Sequence, residues 1–183
     1  MSRKHHVKKT VTSTKSVPPI KFKANNVLHY TISSYSTTAD RRGPLIDRGA
    51  NGSMIGNDMR VIAKTDWSVD VCGIDNHELS GLRIVTAGGV VESNKGNIIV
   101  IVHQAAHVPN GKTIVSSPQA EHFGTIVKDH SRKVHEGGQS ITTLDGYIIP
   151  LSFVNRLPYM SIQPFTNAEC NELVHVVLTS DTE

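Results

Sequence analysis

The sequence predicts an all-β protein, and three features of the 183-residue chain support this prediction. Short apolar runs are separated by glycine, asparagine and aspartate, which is typical of strands joined by tight turns. Several runs alternate apolar and polar residues, the period of a strand with one buried face. Helix-start signals occur at only two places, and both segments are short. We therefore expect many short strands and two small helices.

The first 42 residues differ from the rest of the chain in charge. They hold nine Lys or Arg residues and one acidic residue, a charge of +8, so the whole chain's +3 leaves −5 for the remainder. Because apolar residues are few here, we predict a basic tail over residues 1–39 that is disordered over residues 1–26. The tail is interpreted either as a solvated linker or as a non-specific binder of RNA or DNA through residues 1–42. Its first basic residues would contact the phosphates: Arg3, Lys4, Lys8 and Lys9.

Strand signals follow one another along the chain. Val27–Tyr35 alternates weakly and predicts an edge strand. Trp67–Ile74 alternates with Trp67 and two valines on one face, and Leu79–Val85 returns, which together predict a β-hairpin with an exposed glycine-containing tip. Ile98–Val102 is a continuous apolar run, so we expect it to form a central strand.

Turn and helix signals lie between these strands. Gly88-Gly89 predicts a turn, and Asn110-Gly111 and Asp145-Gly146 predict type I′ hairpins. Ser117, as the cap before a proline, predicts a short helix that stops at Gly124. A capping box at residues 166–169 predicts a second short helix, and a final strand follows it.

One acidic residue lies where a working carboxylate is plausible on physical grounds. Leu45 and Ile46 predict the end of a buried strand, and Asp47 follows on a turn formed with Gly49. Burial and a nearby like charge both raise the pKa of a carboxyl group, which suits such a group to acid–base chemistry. A polar turn between two strands would have the same Asp-x-Gly pattern, so the pattern by itself leaves both interpretations open.

The segment Pro44–Met54 resembles the active-site loop of retropepsin-like aspartic proteases, in the version found in copia-type retrotransposon polyproteins. Asp47, Gly49 and Ala50 match the pattern apolar-apolar-Asp-(Ser/Thr)-Gly-Ala, whereas Arg48 stands where that family has a hydroxyl residue. The order of an Asp turn, a glycine-tipped hairpin, paired strands and a short helix is similar to the plan of the family. A Ser-x-x-Gln at residues 116–119 also resembles the end of the copia-type protease region.

The resemblance implies a fold and an activity. The fold would be a retropepsin-like closed barrel over residues 40–125, with a flap hairpin and one short C-terminal helix, followed by a small β-rich extension or linker over residues 126–183. The activity would be that of an aspartic endopeptidase that processes its own polyprotein. Because the chain has a single Asp-x-Gly, the active protein would be a homodimer in which two Asp47 carboxyls share a proton and activate water.

The resemblance also implies roles for residues around Asp47. Arg48, Gly49 and Ala50 would complete the active-site loop. A hydroxyl at position 48 would hydrogen-bond across the dimer, so threonine there would be expected to strengthen the dimer. Arg48 cannot accept a hydrogen bond and would turn outward to an acid such as Asp58 or Asp70. The flap would bind the peptide backbone through Gly73, Ile74 and Asp75.

Other classes of site have weaker support. Cys72 and Cys170 lack a partner motif, which favours a reducing, cytoplasmic compartment over a disulfide scaffold. His103 and His107, assigned to a strand edge and a loop, lack further ligands, so we expect no metal and no cofactor. The longest apolar run, Ile98–Val102, is far shorter than the ~20 residues that span a bilayer, so no membrane partner is expected.

A second function, from a different class, remains open at this point. The chain could be a non-catalytic β-domain derived from a retroelement, with a basic tail that binds nucleic acid. Two Asp47 carboxyls meeting at a two-fold axis would favour the protease over this alternative.

Overall fold

The computed structural model describes residues 27–32, 43–73 and 77–180. Within this part of the chain the protein is mostly β, with a curled half-barrel sheet and few helices, so the predicted all-β class is confirmed. The strands are β1 (Val27–Ile32), β2 (Leu45–Asp47), β3 (Met54–Ile55), β4 (Arg60–Gly73), β5 (Glu78–Ser93), β6 (Gly96–His107), β7 (Ile114–Ser116), β8 (Ile126–Lys128), β9 (Ser140–Thr142), β10 (Ile148–Val154), β11 (Leu157–Met160) and β12 (His175–Val177). The helices are α1 (Ser117–His122) and α2 (Asn167–Glu172).

The strands join in the order β1-β4-β5-β6-β3-β7-β2-β11-β10-β9-β8, and β12 pairs with β6 outside this path. The resemblance implied a closed barrel, and the described strands curl into half a barrel with β1 and β8 at its ends. β2 and β7 are parallel neighbours, as are β1 and β4. Parallel pairs need long connections, so the sheet brings together segments that are far apart in sequence.

The main core lies under the central strands. Ile98–Val102 is buried throughout, as expected for a strand covered on both faces, and β6 pairs with β5 along most of its length. Residues from the predicted C-terminal extension contribute to the same core cluster, among them Ile141, Met160 and Leu178. In addition, β11 pairs with β2 and β12 pairs with β6. Strands on both sides of residue 125 therefore belong to one sheet.

The hairpin formed by β4 and β5 is longer than predicted. Its pairing runs from Arg60 opposite Gly88 to Cys72 opposite Glu78. The turn predicted at Gly88-Gly89 is wrong, because both glycines lie inside β5. They allow close packing instead: a Cβ at Gly88 would lie 3.0 Å from the Val100 carbonyl oxygen, and one at Gly89 would lie 3.0 Å from the Gln163 carbonyl oxygen.

Strand alternation is interrupted within β4. Val69 and Val71 are buried as predicted, but Trp67 is 56% exposed. The register between β4 and β5 shifts between Lys64 and Ser68, so Trp67 lies inside an irregular stretch where the alternation of faces is broken. The prediction that Trp67 shares a face with the two valines is therefore wrong.

The predicted turns had mixed outcomes. Asp145-Gly146 joins the antiparallel strands β9 and β10, so a hairpin forms there as predicted. The predicted type I′ turn is wrong, because such a turn needs two successive positive φ angles, and Gly146 has a positive φ of 73° whereas Asp145 does not. Asn110-Gly111 lies between β6 and β7, but β7 pairs with β2 and β3 and not with β6, so the hairpin predicted there is wrong. Gly111 is needed for close packing, since a Cβ there would lie 2.6 Å from Cγ1 of Val108.

Both predicted helices form. The cap of α1 is Ser116 and not Ser117, because Ser116 Oγ accepts a hydrogen bond from the Gln119 N–H at 3.1 Å. The second helix, α2, has the predicted capping box between Thr166 and Glu169. Each helix thus begins at a side-chain oxygen that satisfies a free N–H of its first turn.

Two histidines lie on β6, which extends to His107, so the assignment of one of them to a loop is wrong. Burial lowers the pKa of His103, and its Nδ1 lies 2.9 Å from the hydroxyl of Thr86. Burial and then the nearby charge of Lys64 lower the pKa of His107. Both rings are therefore harder to protonate in the folded protein than in the unfolded chain.

We expect the free energy of unfolding to fall when the pH drops from about 7.5 to about 5.5. Because both folded-state pKa values are lowered, the unfolded chain binds more protons once the pH is below 6.5, and stability is lost in that window. His103→Gln should flatten the fall, measured by urea denaturation at the two pH values. His135→Gln, at an exposed position, is the matched control, and an equal fall in both variants would contradict the role of His103.

Candidate active site

Asp47 is the last residue of β2, and β2 lies between β7 and β11. The residue is 8% exposed, so the carboxyl group is largely removed from water. The Gly49 N–H donates a hydrogen bond to Asp47 Oδ1 at 2.8 Å, which fixes the turn that follows the strand. The strand end and the turn predicted from the sequence thus both occur at this residue.

The loop after Asp47 is held by side chains from the start of α1. Ser116 Oγ donates to the carbonyl oxygen of Ala50 at 2.6 Å, and the Ser116 N–H donates to Ser53 Oγ at 3.1 Å. The amide oxygen of Gln119 accepts from Ser53 Oγ at 2.7 Å and from the Ser53 N–H at 3.0 Å. Ser53 and Ser116 are fully buried, so these bonds are shielded from water and fix the loop firmly.

Sequence reasoning missed the roles of these residues. Ser116 lies directly beside Asp47 because β2 and β7 pair in parallel, with the two residues in register. The available signal was the Ser-x-x-Gln spacing, which is a capping pattern as well as part of the resemblance. Ser53, which both residues of that pattern contact, lies 63 residues from Ser116 and 66 residues from Gln119 in sequence. The contact can therefore be identified only from the folded chain.

An apolar cluster lies on the face of β2 that carries Asp47. Successive residues of a strand point to opposite faces, so Leu45 and Asp47 share a face. Leu45 belongs to a buried cluster that also contains Ala50, Val69 and Val71. The two valines come from the hairpin and the alanine from the Asp47 loop. One apolar cluster therefore extends from the hairpin across this face of the sheet to the Asp47 loop.

Arg48 is bonded to two carboxylates of its own chain. Its Nη1 and Nη2 donate to the two carboxylate oxygens of Glu121 at 2.9 and 3.0 Å, which makes a bidentate pair. Its Nε donates to Asp129 Oδ2 at 3.1 Å, and Nη2 also donates to the Val127 carbonyl at 3.2 Å. Because Glu121 is in α1 and Asp129 follows β8, Arg48 ties the Asp47 loop to both elements.

These partners differ from the predicted ones. Asp58 and Asp70 were expected to receive Arg48, but Glu121 and Asp129 are 73 and 81 residues from it in sequence. The hydrogen bonds that Arg48 donates to Glu121 and then to Asp129 raise the pKa of Arg48, so the guanidinium stays charged. Two negative charges offset its positive charge beside the Asp47 loop.

Several predicted site residues lie outside this cluster or outside the described residues. The Gly73 N–H donates to the His77 carbonyl at 2.8 Å and closes the base of the hairpin tip. Ile74 and Asp75 lie outside the described residues, as do the predicted nucleic-acid contacts in the tail: Arg3, Lys4, Lys8 and Lys9.

Within the described part of the chain, no three His, Cys, Asp or Glu residues are grouped to hold a metal ion. None of the helices described is long and apolar enough to cross a membrane.

No protein family, curated protein or solved structure matches this chain. Its function therefore has to be inferred from the residues around Asp47. They provide a nearly buried carboxyl group, a loop fixed by hydrogen bonds and ion pairs, and an apolar cluster on the same face of the sheet. This combination suits acid–base chemistry on a substrate shielded from water.

We expect Arg48→Thr to lower the free energy of unfolding by about 1–2 kcal/mol in urea denaturation. The change removes both ion pairs, and the Asp129 side chain, which is only 6% exposed, loses the guanidinium and keeps its contacts with Ser117 and His130. Arg48 itself is 42% exposed, so solvent screening keeps the loss below that of a fully buried pair. The resemblance alone predicted that threonine at position 48 would be favourable, because it would raise the affinity of the dimer.

The matched control for Arg48 is Arg132→Thr, at an exposed position, which should leave stability within about 0.5 kcal/mol of wild type. The double variant Arg48→Thr, Asp129→Asn should lose less free energy of unfolding than the sum of the losses in the two single variants. In the double variant the aspartate change removes a charge that has already lost its arginine partner. Full additivity, or equal losses in both arginine variants, would contradict the interaction.

Proposed function

We propose that this protein is an aspartic endopeptidase of retropepsin type, which acts as a homodimer and cleaves the polyprotein of its own retroelement. The observation that supports it best is the position of Asp47: a nearly buried carboxyl at a strand end, in a loop fixed by the start of a short helix. An apolar cluster that includes residues of the long hairpin lies on the same face. The matching loop pattern of Asp47, Gly49 and Ala50 adds chemical detail to this geometry.

The proposed mechanism needs two copies of the chain. Peptide hydrolysis of this type uses one carboxylate as a base on water and one protonated carboxyl as an acid toward the scissile carbonyl. The sequence has a single Asp-x-Gly, so the second Asp47 would come from the partner copy across a two-fold axis. Two carboxyls so close together share one proton, because placing two negative charges side by side is costly.

The proposed substrate is an extended peptide with apolar side chains beside the scissile bond. Val69 and Val71 of the hairpin are apolar and belong to the same buried cluster as Leu45 and Ala50, which supports an apolar substrate site. In the proposed mechanism the hairpin opens for the peptide and closes again over it. Water is kept from the reacting groups while the hairpin is closed.

A second candidate function is favoured by one observation. Arg48 replaces a hydroxyl that the resemblance implies, and its guanidinium is engaged by Glu121 and Asp129 within one chain. A loop completed within one chain would also suit a non-catalytic retroelement-derived β-domain, with residues 1–42 as a nucleic-acid-binding tail. The two functions differ in whether the protein cleaves peptides through Asp47 or has no peptidase activity.

We expect the purified protein to cleave members of a peptide library, fastest below neutral pH, because the carboxyl pair must hold one proton. Asp47→Asn should lower the rate at least about a thousandfold, since the amide cannot act as a base. Cleavage is measured by mass spectrometry of the products. Asp145→Asn, at an exposed turn, should cleave at the wild-type rate. Equal cleavage by wild type and Asp47→Asn would refute the site, and inert wild type at every pH would favour the second function.

We also expect a dimer whose population increases with protein concentration in sedimentation velocity, because one chain supplies one Asp47. Asp47→Asn should keep the dimer, since the amide has nearly the same shape as the carboxyl and lacks the repulsive charge. A strict monomer at high concentration would exclude the shared-carboxyl mechanism whatever the fold.

A further inference from the structure

A cavity of about 710 Å³ lies beside β8, the end strand of the sheet. Its walls come from β8 and from the loop that joins β8 to β9. A volume of this size suits a small molecule. The side chains that line it are two valines, one lysine, two histidines and one glutamate: Val127, Lys128, His130, Val134, His135 and Glu136.

The loop that forms the outer wall has a defined shape. The Val134 N–H donates a hydrogen bond to the Ser131 carbonyl at 3.1 Å, and the Gly137 N–H donates to the Val134 carbonyl at 3.0 Å. A Cβ at Gly137 would clash with the Ser131 carbonyl oxygen, so glycine is needed there. Two successive turns thus hold the wall in place, and a ligand would enter a preformed cavity.

Positive charge prevails in this loop, because its most buried acid is already paired. The Asp129 side chain is 6% exposed, and Oδ2 lies 3.1 Å from Nε of Arg48, which is not part of the cavity. Its Oδ1 lies 3.2 Å from Nδ1 of His130, which positions that ring at the cavity wall. The remaining acid of residues 128–136 is Glu136, against three cations: Lys128, Arg132 and Lys133.

The polar side chains of the cavity favour a phosphate group. A lysine ammonium donates up to three hydrogen bonds and an imidazole donates at least one, so Lys128, His130 and His135 offer several donors to an oxygen-rich anion. Residues 43–183 together carry a charge of −5. A positive loop on an acidic body is therefore the place where an anion is attracted.

The same cavity also has an apolar side. Val134 is 52% exposed although it is a large apolar residue, and it shares the cavity with Val127. Contact with an apolar group would remove this valine surface from water, which is favourable. The lining therefore fits an organic phosphate better than a free phosphate ion.

We propose that this cavity is a binding site for a small phosphate ester. Lys128, His130 and His135 hold the phosphate group, and the two valines contact the organic part. Glu136 lines the same cavity and repels the anion, so it limits the affinity. The site is separate from peptide cleavage, and its test uses no activity measurement, so the two proposals can fail independently.

The first test is an NMR titration of the isotope-labelled, full-length protein with phenyl phosphate in about 0.15 M salt, which screens long-range attraction. The amide shifts should be largest over residues 127–137 and should saturate with a dissociation constant of about 1 mM. Shifts that grow linearly without saturation, or that lie mainly in the basic residues 1–42, would overturn the site.

Three substitutions at exposed positions test the contacts. Lys128→Gln should weaken binding at least about fivefold, because a charge-assisted hydrogen bond is lost. Lys133→Gln removes the same charge from the same loop but does not change the cavity lining, so the dissociation constant should stay within about twofold of wild type. Glu136→Gln should strengthen binding at least about twofold, because a like charge is removed. Equal losses in the two lysine variants, or weaker binding by Glu136→Gln, would overturn the proposed contacts.

A second probe tests the organic part of the ligand. Inorganic phosphate should shift the same amides but bind at least about threefold more weakly than phenyl phosphate, and Val134→Ser should reduce that difference. Equal affinities of the two probes in the wild type would overturn the choice of an ester. If a short oligothymidylate shifts residues 127–137 at lower concentration than phenyl phosphate does, the loop binds nucleic acid and the small-molecule site is refuted.

Discussion

The parallel pairing of β2 with β7 is the constraint on which the rest of the site depends. It places Ser116 beside Asp47, and Ser116 then does two things at once, since it starts α1 and donates to the Ala50 carbonyl. Helix, strand and loop are joined through one buried hydroxyl. Two further contacts join the loop to α1: Gln119 of the helix accepts a hydrogen bond from Ser53, and Arg48 donates to Glu121 of the helix. The carboxyl of Asp47 is thus positioned by the contacts of its neighbours as much as by its own strand.

Local signals predicted a large share of the fold. The apolar run Ile98–Val102, the capping box at Thr166 and the hairpin at Asp145-Gly146 depend on residues close in sequence, and each was found. The position of Asp47 at a strand end was predicted for the same reason. The all-β class and the type of each element could be predicted because they depend on the spacing of apolar and turn residues within a single segment.

Several of the errors share one physical origin, which is contact between distant segments. Gly88-Gly89 has the composition of a turn, but its glycines are required by the close approach of neighbouring strands. Asn110-Gly111 has a hairpin composition, but β7, the strand that follows it, pairs with β2 and β3 and not with β6. The partners of Arg48 were missed because no local pattern indicates which acid a long side chain will reach. Such features are set by tertiary packing, and a pattern within one segment carries no information about them.

The pairing of β2 also has a consequence for the order in which the chain can fold. β2 has three residues, and its neighbours are β7, about 70 positions further along, and β11, more than a hundred positions further. So short a strand has no stability until both neighbours exist, and closing loops of this length is slow. During synthesis, Asp47 would therefore stay unstructured until β11 had left the ribosome. The buried position of this carboxyl is thus acquired long after the residue itself has been added to the chain.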